Sequence, residues 1–154
     1  MELIVFDLDF TLWNAGGTWC DHTYPPYRRV NNHVIDSNGS IIFLYPDAKE
    51  IVQQLHQENY TLAIASRTHE PLWAINLLKL FEIEHYFKYK EIYPGSKTEH
   101  FQQLQHLTKS NFEKMIFFDD EMRNVDEVGR LGVNTCLVHE GISWRLVRDF
   151  VGLS

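Results

Sequence analysis

Two aspartates, Asp7 and Asp9, sit in the stretch VFDLDFTLW at residues 5–13, directly after an apolar run. Carboxylates left unpaired at the end of a buried strand cost several kcal/mol or more, so this pair calls for partners. Three other places in the chain raise the same question. YTLAIAS (60–66) ends in Ser66 and is followed by Arg67 and Thr68, MIFFDD (115–120) ends in Asp119 and Asp120, and the loop YPGSKTEH carries Lys97. Any one of these groups alone reads as a helix cap or a solvated loop. All four at one edge of one sheet would make a cluster of acids with a single lysine and a single hydroxyl.

Such a cluster repels itself unless a divalent cation joins it. Hard oxygen ligands at a partly open site favour Mg²⁺, which takes one or two carboxylates together with phosphate oxygens and water. Cation and lysine would form a trap for a phosphoryl group, whose equatorial oxygens need positive charge during transfer. The Ser66 hydroxyl and free backbone N–H groups at the loop ends would complete it. Asp7 and Asp9 share a face in an extended strand, and a loop turning just after it can aim them at opposite sides of one phosphorus. The spacing therefore permits one carboxylate to attack while the other handles the leaving-group proton.

Elements that could deliver these groups are readable from the pattern. Runs at 2–7, 60–66, 86–92, 115–120 and 133–138 read as strands. Segments 47–59, 70–81, 98–107, 124–131 and 143–151 have helical period, with Asp47 and Glu50 as a capping-box-like start to the first. Leu72, Ile75 and Leu78 fall in phase on the second. Strands alternating with helices imply crossover units. The expected fold is α/β, a three-layer Rossmann-like sandwich around a mainly parallel five-stranded sheet, with ligands beyond the carboxyl ends of the strands. Residues 14–46 break the alternation. Asn38-Gly39 between two extended runs signals a β-hairpin, expected as a flap beside the carboxylates. With no repeats or linkers, residues 1–154 read as one domain.

The polar groups resemble the haloacid dehalogenase superfamily of phosphotransferases: DLDFT its first motif, IASRT its second, GSKTEHF its lysine motif and FFDDEMRN its acidic fourth motif, in the family's order. Adding LYP, LLKLF, EIYPGSKTEHF and VGRLGV extends the similarity to the capless magnesium-dependent phosphatase branch over about residues 3–141. This chain has Asn14 where that branch tends to have proline, and NAGGTWCDH diverges. The resemblance implies Asp7 as nucleophile forming an aspartyl-phosphate and Asp9 as general acid and then base. It implies Ser66 and Lys97 holding phosphoryl oxygens, and Mg²⁺ on the Asp7 carboxylate, the Asp9 backbone carbonyl and Asp120. Asp119 would stand behind the metal, and Thr11 would brace the loop. Arg67 is either a substrate contact or a solvated loop residue. Implied substrates are phosphotyrosine-type aryl phosphates on protein and sugar phosphates, including phosphorylated glycation products. Neither slot for a cap insertion holds a helical module, so hairpin and loops must select the substrate. Trp13, Trp19, Tyr24 and Tyr27 either line the leaving-group side or pack the hairpin base.

Two other uses of the same groups stay open, a phosphoryl-accepting receiver-like signalling module and a non-catalytic phosphate-binding domain. A receiver needs no Asp9 and orders its acids and lysine differently. The net charge of −7, from 14 basic and 21 acidic residues, argues against coating nucleic acid or anionic membrane. The apolar runs fall short of a membrane span, and the first strand begins too early for a signal peptide. Cys136 reads as a buried thiol and Cys20 as a more exposed loop residue. Neither has a C-x-x-C partner, which points to a reducing, cytoplasmic setting. The scattered histidines, His100 and His106 among them, do not suggest zinc. The expected state is a monomer or weak dimer.

Overall fold

The computed structural model describes residues 2–152. In chain order its elements are β1 (Leu3–Phe6), β2 (Trp13–Asn14), β3 (Arg28–Val30), β4 (His33–Ile35), β5 (Ile41–Leu44), α1 (Ala48–Gln57), β6 (Thr61–Ser66), α2 (Pro71–Leu80), β7 (Phe87–Ile92), α3 (Lys97–Thr108), β8 (Met115–Asp119), α4 (Met122–Gly129), β9 (Asn134–Leu137) and α5 (Trp144–Val151). The main sheet has five strands in the order β7-β6-β1-β8-β9, and every pairing in it is parallel.

Strand alternation divides the apolar residues between two cores. Ile4 and Phe6 of β1, Ile64 of β6 and Phe118 of β8 point to one face, where Ile51, Val52 and Leu55 of α1, Leu77 and Leu78 of α2 and Val147 of α5 cover them. Leu3, Val5, Ala63 and Phe117 point to the other, under Phe101 and Leu104 of α3 and Val128 of α4. A strand buried on both faces reads as a continuous apolar run, which is why LIVF and MIFF stand out in the sequence. Each fully buried large side chain contributes about 1.5–3 kcal/mol of hydrophobic stabilisation.

From β1 the chain builds outward through β6 and β7, then crosses back to add β8 and β9 on the other side. The switch point therefore lies between β1 and β8, where an open parallel sheet leaves a crevice at its carboxyl edge. Asp7 continues that pairing by one bond, its N–H donating to the Phe118 carbonyl at 3.0 Å.

Helix α2 turns a different face inward from the one its periodicity suggests. Leu72 is 78% exposed and Ile75 half-buried, while Ala74, Leu77 and Leu78 form the buried stripe. In a helix this apolar the pattern fits two faces, and packing into the core on this side of the sheet selects one. Asp47 does not close a capping box with Glu50 either; its carboxylate accepts from the Trp144 N–H at 3.1 Å, tying α1 to the start of α5.

The flap is the expected hairpin, elaborated. Strands β4 and β5 pair antiparallel around Asp36–Ser40, and Asp36 accepts from the N–H groups of Asn38 and Ser40 at 3.0 and 2.9 Å. A second reversal at Asn31, with φ of 57°, splits the run 29–36 into β3 and β4. With β2 beside β5 the result is a four-stranded antiparallel sheet in the order β2-β5-β4-β3. Among the described residues there is no helical cap module. Nor is any helix long and apolar enough to cross a membrane.

Candidate active site

Asp7 follows β1 directly, and its carboxylate is held on both oxygens. Lys97 Nζ donates to Oδ1 at 3.1 Å and Thr11 Oγ1 donates to Oδ2 at 3.2 Å. Thr11, expected to brace the loop, thus reaches the carboxylate itself. Lys97 is the first residue of α3, after Ser96, whose side chain caps the helix by accepting from the Thr98 N–H at 3.2 Å. The ammonium is fully buried and points all three donors at the carboxyl edge. Besides Asp7 it reaches the Ala65 carbonyl at 2.7 Å and Asp119 Oδ2 at 2.8 Å. Burial alone would lower its pKa, but the charges of Asp7 and Asp119 outweigh that and hold it above the usual lysine range.

Asp9 is turned away from this cluster by the loop that follows it. Phe10 adopts φ of 63°, and the N–H groups of Thr11 and Leu12 both return to the Leu8 carbonyl, at 3.1 and 2.9 Å. A left-handed aromatic residue costs of order 1–3 kcal/mol, and such strain persists where the surroundings enforce it. Here the bend brings the Trp13 indole back over Asp9, with Nε1–H donating to Oδ1 at 2.8 Å. The Cys20 N–H donates to the same oxygen at 2.9 Å from the flap side. Burial pushes the Asp9 carboxyl up to about 7; the two donors pull it down and the charge of Asp7 adds to the rise. Asp7 and Asp9 therefore face different partners, the first the sheet edge and lysine, the second the flap.

From β8, Asp119 is fully buried with both oxygens engaged. Oδ2 accepts from Lys97 and from Asn124 Nδ2 at 3.1 Å, and Oδ1 from the Glu121 N–H at 2.8 Å. Asp120 is only partly buried. Burial and the neighbouring charge of Asp7 raise its pKa well above the carboxylate range. Asp7, Asp119 and Asp120 each offer an oxygen within 4.8 Å of the others. Three carboxyls this close, with one ammonium among them, suit a divalent cation with oxygen ligands.

Ser66 ends β6, buried, its Oγ accepting from the Thr68 N–H at 3.3 Å. Asp7, Asp9, Ser66, Lys97 and Asp120 line one cavity of about 180 Å³. Its outer wall adds Trp19, Asp21, His22, Arg67, Arg123 and Asn124. Arg67 is held at that wall by Asn124, donating to Oδ1 at 3.1 Å. Of the four flap aromatics only Trp19 lines the cavity. Trp13 and Tyr27 are buried and Tyr24 is exposed away from it.

Cys20 is buried, against the expectation of an exposed loop thiol, because its backbone must reach Asp9; burial pushes the thiol well above its ordinary pKa. Cys136 is buried as expected, and both cysteines are free. The contributions of Trp13, the Cys20 N–H and Asn124 were not apparent in the sequence. Asn124 carried a usable signal, lying four residues beyond Asp120 in a helical segment.

Residues 1–152 match the profile of the Acid Phosphatase family. Magnesium-dependent phosphatase 1 of Homo sapiens is 42% identical over 144 residues, covering 92% of this chain and 80% of that protein. A HAD-like hydrolase superfamily protein of Schizosaccharomyces pombe is 38% identical over 86% of this chain and 82% of its own length. The fold is shared with a HAD-family enzyme from Bacteroides thetaiotaomicron, solved in complex with magnesium and inorganic phosphate. That structure aligns with a TM-score of 0.68 at 15% identity, over 94% of this chain and 97% of the other. The match runs from β1 to the last helix, and the chain belongs to the acid phosphatase family of HAD-like hydrolases.

Proposed function

We propose that the chain is a Mg²⁺-dependent phosphatase hydrolysing phosphomonoesters through an aspartyl-phosphate on Asp7. One arrangement carries the reading: Asp7 is bound to a buried lysine while Asp9, two residues on, is held apart by Trp13 and the Cys20 N–H. Mg²⁺ fits the acidic group, where the Asp7 and Asp120 carboxylates and the Asp9 backbone carbonyl would hold it, and it would supply positive charge to the phosphoryl oxygens. Asp119 has both oxygens occupied by protein donors, which suits it to holding Lys97 and Asn124 from behind.

In the forward step Asp7 attacks phosphorus and the ester oxygen leaves with a proton from Asp9, whose carboxyl, raised to about 7, retains one near neutrality. Water then attacks the aspartyl-phosphate and Asp9 takes a proton from it, which returns both carboxyls to their starting state. Ser66 Oγ, accepting from Thr68 N–H, keeps its own proton to donate to a phosphoryl oxygen, and Lys97 offsets the charge on Asp7.

An uncapped mouth with an exposed indole, Trp19, and a fixed guanidinium, Arg67, accommodates a large leaving group. This supports phosphotyrosine on protein and sugar phosphates, including phosphorylated glycation products, as substrate classes. Purified protein should turn over p-nitrophenyl phosphate many times with Mg²⁺ and stop when the metal is chelated. One equivalent of phosphoryl group retained without turnover would contradict the hydrolytic reading.

A further inference from the structure

His100 lies one turn beyond Lys97 on α3 and is fully buried. Every polar atom its ring meets is a backbone carbonyl. Nδ1 is 3.0 Å from the Ser96 oxygen, and Nε2 is 2.9 Å from that of Ser66 and 2.8 Å from that of Tyr93. The ring also stacks on Tyr93, with centroids 4.3 Å apart and planes 6° from parallel. Carbonyl oxygens only accept, whereas a neutral imidazole has one N–H and one lone pair. Nε2 faces two of these carbonyls and Nδ1 one, so a neutral ring with its proton on Nε2 serves the larger number.

We propose that His100 is a positioning residue whose Nε2–H, shared between the Ser66 and Tyr93 carbonyls, clamps Ser66 to the helix carrying Lys97. Three segments converge on the ring: the end of β6 through Ser66, the loop after β7 through Tyr93, and the first turn of α3 through Ser96. The Tyr93 N–H closes the same junction from below, donating to the Ser66 carbonyl at 3.0 Å. Lys97 Nζ reaches the neighbouring Ala65 carbonyl, so the ammonium and the Ser66 hydroxyl are both referenced to the last two residues of β6. Releasing the Ser66 carbonyl frees its Oγ to drift from the phosphoryl site, and misplacement by about 1 Å can cost on the order of 10²-fold in rate.

The activity half of this inference rests on the phosphatase reading; the ring's tautomer does not. Nitrogen-15 NMR of the wild-type imidazole should show the ring proton on Nε2 of His100, protected from exchange with solvent. A ring whose Nε2 carries no proton would overturn the clamp, whether or not the protein hydrolyses phosphate esters. The coupling is read from kcat/KM for p-nitrophenyl phosphate in His100→Gln and His100→Phe, each made alone and in Ser66→Ala. Action through Ser66 predicts a loss of roughly 10²-fold in the wild-type background and little further loss once the hydroxyl is gone. Equal losses in both backgrounds would contradict it. If neither variant folds, the NMR measurement on the unaltered protein still decides.

Discussion

At the scale of single residues the site works by giving two neighbouring carboxylates different surroundings. Asp7 is paired with Lys97 and Thr11, and Asp9 with the Trp13 indole and a backbone N–H. Asp9→Asn should leave folding intact and slow turnover by roughly 10²–10⁴, the usual size of a general acid–base contribution, as steady-state kinetics would register. Trp13→Phe removes a donor that lowers the Asp9 pKa, so that pKa should move up. The pH–rate profile should follow it to higher pH; no movement would mean that the indole only packs. The acids, serine and lysine were recognisable in the sequence because each follows a strand-like run. Trp13 was not recognisable as the partner of Asp9, because that contact depends on a left-handed backbone at Phe10 that no composition signal announces.

Among the elements, β1, β6, β8 and the start of α3 do the positioning, and their existence was readable from apolar runs and helical period. Register within α2 was not. Its segment is apolar on two sides, so Leu72 and Leu78 looked equivalent until the sheet selected the face of Ala74, Leu77 and Leu78. Leu72→Gln is accordingly expected to change stability by no more than about 0.5 kcal/mol, while Leu78→Ala should lose about 2–5 kcal/mol, both read by chemical denaturation. The flap shows the same limit. Asn38-Gly39 announced one hairpin, and the reversal at Asn31 that makes a second carries no glycine to mark it.

For the whole molecule, crowding buried acids at one sheet edge sets a pH dependence of stability. Asp9 rises on folding from 3.8 to about 7, and Asp119 and Asp120 rise as well, mainly through burial. A raised folded pKa contributes stability that is full below the unfolded value and is lost as pH climbs through the folded one. Metal-free protein should therefore melt at progressively lower temperature from about pH 4 to above pH 7. Mg²⁺ should restore more of that loss the higher the pH, since it binds the ionised carboxylates of the folded chain. A flat profile, or equal Mg²⁺ effects at both ends, would count against a cation at this edge. The central claim, that Asp7 carries the phosphoryl group, has a more direct test. In Asp9→Asn, p-nitrophenol still leaves readily without an acid, but water lacks its base, so the aspartyl-phosphate should accumulate. Acid quenching followed by mass-spectrometric mapping is predicted to place the phosphoryl group on Asp7. Undiminished turnover by Asp7→Asn, or a phosphoryl group mapped to another residue, would contradict the account.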